Sequence, residues 1–436
     1  MHRLILWGQG NAGNTYPELS LSQLEIRQGL PPAALGETHA VPYQLTSNSS
    51  FQGQIACSPD QTKFVMTVQT SNNNGKLMVC RDGGEHGLFD TVEVPLAVFS
   101  GSTECVAASN EYFAVGGGSS SYVMLYDWAT MTAQNLPITG LNYTVHSLAF
   151  SPDGRYLAVM SSAYFYLRLY DLQAPGFAYI DVNSAVRPGG DSYGRLAWTD
   201  DNRLFVTSNT SSPYVAVYDT ALNRLFHVTS SSEAYYSRAI VSLPGRGKMA
   251  VACATSSTSY PTVYLMDTTT YAITRLPRLR THAGTDTTAA AWSLAYDHVM
   301  DMLYLNHAPL STASGVTSAN LSRLDMNNIA AGWETFFTGE VRRDTRGIWN
   351  MLIVSRERGR ITGTVRDIEN QPAKRTVRAF HRETGHLLAQ TRSDPITGNY
   401  TLYLPNLETV DVVFQAEDGE LLNDLFFASA QPEPVT

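Results

Sequence analysis

Leu148-Ala149-Phe150-Ser151-Pro152-Asp153-Gly154-Arg155-Tyr156-Leu157-Ala158-Val159 reads as a hairpin: an apolar strand, a Pro-Asp-Gly turn and a second apolar strand. Pro presets φ for the turn, Asp bonds local backbone and Gly accepts positive φ. The pattern recurs as Ile55-Ala56-Cys57-Ser58-Pro59-Asp60-Gln61 followed by Phe64-Val65, and as Leu196-Ala197-Trp198-Thr199-Asp200-Asp201-Asn202 followed by Leu204-Phe205-Val206. Weaker copies begin at Cys105, Ile240 and Leu294. After each copy comes another alternating strand that closes on an aspartate, as in Val123-Met124-Leu125-Tyr126-Asp127 and Leu167-Arg168-Leu169-Tyr170-Asp171. These aspartates are Asp82, Asp127, Asp171, Asp219, Asp267 and Asp325, spaced 45, 44, 48, 48 and 58 residues apart. A period near 40–50 with four short strands per unit marks the blade of a β-propeller. The aspartate at each strand exit reads as a turn former that caps backbone N–H groups.

Six copies run from about Ser50 to Gly339. A further blade can form from Gly347-Ile348-Trp349-Asn350-Met351-Leu352-Ile353-Val354 together with strands from the first 45 residues, Leu4-Ile5-Leu6-Trp7 being one candidate. Pairing both chain ends in one blade removes two open edges. The expected fold class is therefore all-β: a seven-bladed β-propeller, with six blades as the alternative, followed by a small β-sandwich. The expected boundaries are 1–50 for an N-terminal arm and ring-closing strand, 51–355 for the propeller and 356–436 for the sandwich. Residues 8–45 are expected to lie as an arm over one face.

Composition agrees. The chain has 436 residues, 43% of them hydrophobic and 16% charged, below the roughly 25% of ordinary globular proteins. Ser, Thr and 23 tyrosines carry the polar balance, and only Lys63, Lys76, Lys248 and Lys374 among 30 basic residues are lysines. Thr and Tyr favour strands; Ser, Gly and Pro favour turns. A formal net charge of −9 offers nothing to a phosphate backbone, so no nucleic-acid partner is expected. No apolar run approaches a membrane span, and Leu4-Ile5-Leu6-Trp7 is too short for a signal peptide. Cys57, Cys80, Cys105 and Cys253 lack CxxC spacing and read as buried thiols, as expected for assembly in a reducing cytoplasm.

Charge density rises after Ser355: residues 356–436 hold 21 charged residues in 81. Short strands separated by turns follow: Ile361–Val365, Thr376–Phe380, Leu387–Thr391, Tyr400–Pro405 and Val410–Phe414. This spacing suits an antiparallel sandwich. Gly363-Thr364-Val365, Arg378-Ala379-Phe380-His381-Arg382-Glu383-Thr384-Gly385, Thr391-Arg392-Ser393-Asp394 and Gly398-Asn399-Tyr400-Thr401-Leu402 resemble a carboxypeptidase-regulatory-like, transthyretin-like domain. More specifically they resemble the version appended to virion proteins of tailed bacteriophages. Transthyretin relatives that hydrolyse hydroxyisourate end in His-Arg-Gly-Ser; this chain ends Pro432-Glu433-Pro434-Val435-Thr436, so that activity is not implied. The repeats resemble WD40-like and lactonase-like propellers generically, without the Gly-His and Trp-Asp pair of WD40 blades.

No catalytic motif stands out. Gly116-Gly117-Gly118 has no helix after it to cradle a phosphate. His381 with His386, Asp82 with Glu85 and His86, and Asp418 with Glu420 and Asp424 read as polar loops before metal sites. No catalytic, cofactor-binding or metal residue is therefore assigned, and no cofactor is expected. Segments rich in Ser, Thr and Tyr occupy the same place in successive repeats, between the second and third strands. Their tyrosines, Tyr122, Tyr164, Tyr166, Tyr214 and Tyr260, form the candidate docking face, because Tyr offers contact area at low entropy cost. The phage resemblance implies a non-enzymatic structural component of a virion, tail or tail-tip associated, assembled in the host cytoplasm. It would work in a multi-copy symmetric assembly with other virion proteins, a host surface protein or glycan being a further partner, and without membrane insertion. The alternatives are a propeller hydrolase or lyase, and a bacterial surface binding propeller.

Overall fold

The structure is a computed structural model. It describes residues 2–11, 17–25, 33–34, 39–44, 54–59, 63–69, 75–82, 89–94, 103–117, 122–138, 144–161, 166–186, 194–207, 215–228, 237–253, 262–279, 291–298, 300–307, 320–337, 347–355, 359–367, 369–382, 387–404, 409–415 and 425–434, some as backbone only. Among these, all regular structure is strand apart from two single 3-10 turns, Ser184–Val186 and Ile329–Ala331.

The repeats fold as antiparallel four-stranded meanders. In the first sheet the strands are Ile55–Cys57, Lys63–Gln69, Gly75–Asp82 and Phe89–Val94. The second has Thr103–Ala108, Tyr112–Gly117, Tyr122–Asp127 and Ala133–Asn135. The third has Val145–Phe150, Tyr156–Ser161, Leu167–Asp171 and Tyr179–Asp181. In the fourth come Leu196–Trp198, Leu204–Thr207, Val215–Tyr218 and Arg224–Val228. The fifth has Ser237–Leu243, Lys248–Cys253, Thr262–Asp267 and Ile273–Arg275, and the sixth Ala291–Asp297, Met302–His307, Asn320–Asp325 and Glu334–Phe337.

Burial explains the near-continuous apolar runs. Phe113, Ala114 and Val115 are wholly buried, as are Leu157, Ala158 and Val159, because a middle strand is covered on both faces. Adjacent sheets share the cores. Cys105, Ala107 and Leu125 of the second sheet pack with Val145, Leu148 and Leu157 of the third; Phe205 and Val217 of the fourth pack with Met249 and Met266 of the fifth. Each fully buried side chain of this kind contributes about 1.5–3 kcal/mol. Polar clamps tie neighbouring sheets as well. Trp198 Nε1 donates to Ala149 O at 3.1 Å, and Arg168 and Tyr170 both donate to Pro137 O, at 2.9 and 2.7 Å. Arg168, only 1% exposed, also forks onto Asp181 at 2.6 and 2.9 Å with Tyr179 stacked 3.8 Å away.

The first strand of each sheet lies against the first strand of the next, from Ile55–Cys57 through to Ala291–Asp297. Gly347–Ser355 continues this series, touching both Ala291–Asp297 and Ile55–Cys57, so the circuit returns to its start. It pairs antiparallel with His2–Asn11, Leu4 opposite Ile353 and Leu6 opposite Met351. Radial meanders around such a circuit make a β-propeller. Within residues 8–45, expected as an arm over a face, the described strands Pro17–Glu25, Ala33–Ala34 and His39–Gln44 instead extend this sheet. The reason is period-2 alternation in Leu19-Ser20-Leu21-Ser22, a strand signal that the neighbouring Gly, Pro and Asn residues mask.

The last part is a two-sheet sandwich. Gly359–Thr364 sits between Asn399–Leu404 and Glu433–Pro434; the other sheet runs Leu387–Arg392, Thr376–His381, Val410–Gln415, Leu425–Ala430. Val377, Ala379, Leu402, Leu404, Val410 and Val412 fill the space between. Leu425–Ala430 and Glu433–Pro434 go beyond the strands expected from sequence. The first hides behind an acidic stretch and does not alternate; the second is only two residues long.

Candidate functional site

The two mouths of the circuit differ in chemistry. At one, first strands turn into second strands and third into fourth, and many of these turns bond their own polar groups, though Asn202 Oδ1 is buried there without a partner among the described residues. Ser58, Ser109, Ser151 and Thr199 are buried at the end of the first strands. Each hydroxyl accepts an N–H at the start of the second strand or one residue before it: Lys63 at 3.1 Å, Tyr112 at 2.9 Å, Tyr156 at 2.9 Å and Arg203 at 3.0 Å. Gly154 sits at φ 71° in its hairpin, the left-handed region where glycine carries no penalty. The aspartates at the exits of the third strands are turn formers, as read from sequence. Asp127 accepts N–H bonds from Ala129 and Thr130, Asp171 from Gln173, Asp219 from Ala221 and Asn223, Asp267 from Thr269 and Thr270, and Asp325 from Asn327. Neighbouring sheets are linked on this side by Lys63 to Asn110 O, Asn202 to Asp153 and the Arg246–Asp301 ion pair.

These bonds leave a signature in acid. The Thr130 N–H holds the Asp127 carboxyl below its ordinary value; the Arg155 guanidinium does the same for Asp171, and the Lys248 ammonium for Asp267. A carboxylate depressed in the folded state contributes stability above its unfolded value, near pH 4, and loses it as pH falls through the folded values. The melting temperature should therefore be flat from pH 7 to about pH 5 and fall below about pH 4. All three groups are half-buried at the surface, so salt should shrink the part due to ion pairs. Thermal melts between pH 7 and pH 2 check this; a protein equally stable at pH 2 would refute it.

At the other mouth the second strands end and the first strands begin. Here the pairing slips by one residue in sheet after sheet. Gly116 pairs with Cys105 but Gly117 with Thr103, which leaves Glu104 extra. The same slip leaves His146 extra between Val145 and Ser147, Arg238 between Ser237 and Ala239, and Trp292 between Ala291 and Ser293. In the closing sheet Trp349 is extra between Ile348 and Asn350. Each is a one-residue bulge near the start of its first strand, and bulges are frequent at sheet edges and rims. The fourth sheet has Gly194 at the corresponding position, where an added Cβ would fall 2.0 Å from Thr207 O. His146 is buried, with 7% of its surface exposed. Two hydroxyls near these bulges, Ser161 Oγ and Ser293 Oγ, are buried without a hydrogen-bond partner among the described residues. By contrast Thr207 Oγ1, at the level of Ser161, accepts Arg195 N–H at 3.1 Å.

Of the expected docking tyrosines, Tyr122 and Tyr166 lie where third strands begin, at this mouth. Tyr122 opens the third strand of the second sheet and packs, half-buried, against the core that contains Val65 and Val106. Tyr166 is half-buried against the core of the second and third sheets, and its carbonyl accepts Ser161 N–H at 3.0 Å. Both rings thus serve packing as well as surface. Tyr164, Tyr214 and Tyr260 lie outside the described residues, as do Glu85, His86, His386, Asp418, Glu420 and Asp424; Asp82 and His381 are placed by their backbone only. Gly116 and Gly117 lie within a strand and form no loop.

Sequence reading missed the bulge positions, although a signal exists. Glu104, His146, Gly194, Arg238 and Trp292 each stand five residues before the residue that ends its first strand or begins the turn: Ser109, Ser151, Thr199, Leu243 and Asp297. Searching for one residue type repeated across blades hides this, because the position is shared and the chemistry varies. Cys253, at the end of a second strand on this side, is 2% exposed, and burial pushes its thiol up to about 12. The native protein should leave Cys253 unalkylated by iodoacetamide at pH 8, and urea should expose it. Peptide mapping after labelling decides this, and native labelling of Cys253 would contradict the packing.

No family model matches the chain, and no curated protein does. Among solved structures, the periplasmic gluconolactonase PpgL of Pseudomonas aeruginosa is similar at 15% identity and a TM-score of 0.52, over 80% of this chain and 99% of that one. Proteins described as 6-phosphogluconolactonases are similar too. The one from Bacteroides uniformis is 14% identical with a TM-score of 0.51, over 81% of this chain and 99% of that one. The one from Bacteroides fragilis is 10% identical, also at 0.51, over 81% and 98%. At such identities the likeness shows the fold alone: the chain is similar to β-propeller proteins.

Proposed function

We propose that this chain is a recognition protein without catalytic activity, a propeller that binds partners at the mouth where its first strands begin. The sheet that joins the two chain ends acts as a seventh blade. One observation carries the reading: the bulges gather at this mouth, with Tyr122 and Tyr166 beside them, while on the opposite side the strand-exit aspartates bond their own turns. In the finer form of the proposal the protein is a tail-associated virion component present in several copies. It contacts other virion proteins and a host surface protein or glycan, without nucleic acid, cofactor or membrane insertion. Support for that form is the resemblance of residues 356–436 to domains of phage virion proteins. Weak contacts repeated around a symmetric particle would suffice for attachment.

The test is purification of particles from an infected or induced host, followed by mass spectrometry and labelled-antibody microscopy. Presence on the tail supports the finer form, and absence from particles removes it. Tyr122→Ala and Tyr166→Ala should weaken partner capture about tenfold while leaving the fold intact; unchanged capture would remove the docking face.

A second reading, a hydrolase of sugar lactones, is favoured by the gluconolactonase and 6-phosphogluconolactonase among the similar structures. Glu104 and His146 would supply its acid and base. Turnover of glucono-lactones by the purified chain, lost in Glu104→Gln, would replace the non-catalytic proposal.

A further inference from the structure

We infer that the sandwich has one strand position open beside Gly359–Thr364, and that an extended peptide segment of another protein fills it. The segment is apolar at alternate residues and acidic at its first residue. This surface stands whether or not the mouth of the propeller is a recognition face.

The two sheets of the sandwich are unequal. One has four strands; the other has Asn399–Leu404, Gly359–Thr364 and then only the two residues Glu433–Pro434. Those two pair with Gly359 and Arg360 and no further. Among the described strands, none pairs with residues 361–364 on that side. Ala430 still belongs to the four-stranded sheet, so only Gln431 and Pro432 make the crossing. The hydrogen-bond phase shows which groups are left over. Val365 N–H donates to Gly398 O at 2.8 Å, and antiparallel pairing alternates. Gly363 and Ile361 therefore turn their N–H and C=O toward Asn399–Leu404, and Thr362 and Thr364 turn theirs to the open side. The chain after Val365 returns on the Gly398 side, with Pro372 Cα 3.3 Å from the Cβ that Gly398 would carry.

Between the sheets at this place lies a cleft of about 320 Å³, lined by Ile361, Val365, Tyr400, Val412, Phe414 and Ala430. Cavities of ~150 Å³ hold a benzene ring, so this one takes more than one side chain. An open backbone edge over an apolar cleft suits a strand with apolar residues at every second position. A second copy of this chain fits poorly, because it would bring its own second sheet. Val412 and Phe414 line the cleft with Ile361 and Val365, so in a copy the strand Val410–Gln415 lies under its own Gly359–Thr364. Seated in the open position, that strand would meet Leu425–Ala430, whose Ala430 already lines the cleft. A lone segment has no second layer. Charge sets its direction. The exposed Arg366 borders the cleft at one end, and at the other Glu433 lies 3.8 Å from Arg360. A carboxylate belongs at the Arg366 end and none at the Glu433 end. Running antiparallel, as Glu433–Pro434 does, the segment has its acidic residue first.

Fluorescence anisotropy of the full chain with a blocked, fluorescein-labelled hexapeptide, aspartate-valine-threonine-valine-threonine-valine, tests this. In register the aspartate stands opposite Arg366 and the valines opposite Val365, Gly363 and Ile361. The expected result is saturable binding at or below about 1 mM. N-methylation of the two threonine amides, which face Thr364 and Thr362, should weaken it tenfold or more. Thr362→Pro removes one outward N–H at an edge, where proline is tolerated, and should weaken binding tenfold or more at an unchanged melting temperature. Arg366→Glu should weaken the aspartate peptide and strengthen the same peptide with lysine first. Should Thr362→Pro fail to fold, the N-methylation comparison on the unmodified chain decides alone. No binding at 1 mM, or equal binding of the methylated and unmethylated peptides, overturns the inference. A concentration-dependent dimer in sedimentation that Thr362→Pro abolishes gives the open position to a second copy and overturns the assignment of a partner segment.

Discussion

A chain lacking residues 1–11 is expected to lose its cooperative unfolding transition. The strand His2–Asn11 lies between Gly347–Ser355 and Pro17–Glu25, with Arg3, Leu4, Ile5, Leu6 and Trp7 each paired on both sides. Its removal exposes the unpaired edge of Gly347–Ser355, the only described strand that links Ala291–Asp297 back to Ile55–Cys57. Loss of one central strand of a sheet forfeits its ladder and leaves two facing edges open. For a domain with total stability of about 5–15 kcal/mol, a deficit of several kcal/mol is enough to unfold much of it at 37 °C. Calorimetry should show the transition broadened and lowered by more than about 10 °C, with aggregation on warming. A deletion variant that melts as the parent does would mean that the circuit does not depend on the chain ends.

Gly194→Ala is expected to cost about 3 kcal/mol or more, an unusually large effect for one methyl group. The new Cβ would fall 2.0 Å from the carbonyl oxygen of Thr207 and 2.7 Å from Cε of Met160. The methionine end can swing away. The carbonyl cannot: Thr207 ends a strand, its N–H donates to Arg195 O at 2.9 Å, and its hydroxyl accepts Arg195 N–H. Gly245→Ala provides the contrast. It places a Cβ in open space at φ 76°, so only the backbone penalty of about 1 kcal/mol applies. Urea unfolding of both variants should give a large fall in midpoint for the first and a small one for the second, at equal slope. Similar midpoints would show that the strand ends at Gly194 and Thr207 are not fixed against each other.

The repeat was legible because it rests on local chemistry. The Pro-Asp-Gly turn after Phe150 and the aspartates Asp127, Asp171, Asp219, Asp267 and Asp325 are read from a few adjacent residues, and their bonds run to backbone two to four residues away. The closing strand was legible as a candidate in Leu4-Ile5-Leu6-Trp7, since an apolar run needs a partner. Its register against Gly347–Ser355 was not, because the partners are 338 to 353 residues apart in sequence. The bulges escaped for a different reason. A bulge is a mismatch between two strands, so it exists only once the pairing is known. Nothing in Val145-His146-Ser147 alone says that His146 has no opposite residue. Likewise, the tyrosines that begin the third strands are visible in sequence, while the half-burial of Tyr122 and Tyr166 depends on the neighbouring sheet.

The outermost strands bear on solubility. Ala133–Asn135, Tyr179–Asp181 and Ile273–Arg275 are each three residues long, and each is the free margin of its sheet. Two of them carry apolar side chains facing water, with Ile180 at 42% and Ile273 at 47% exposure. A longer margin of that composition would invite another chain to add a strand and start a fibre. Three residues offer too few hydrogen bonds to hold one, and Asp181 is occupied by Arg168 from the adjoining strand. At these three margins, copies of the chain can therefore meet without zipping together.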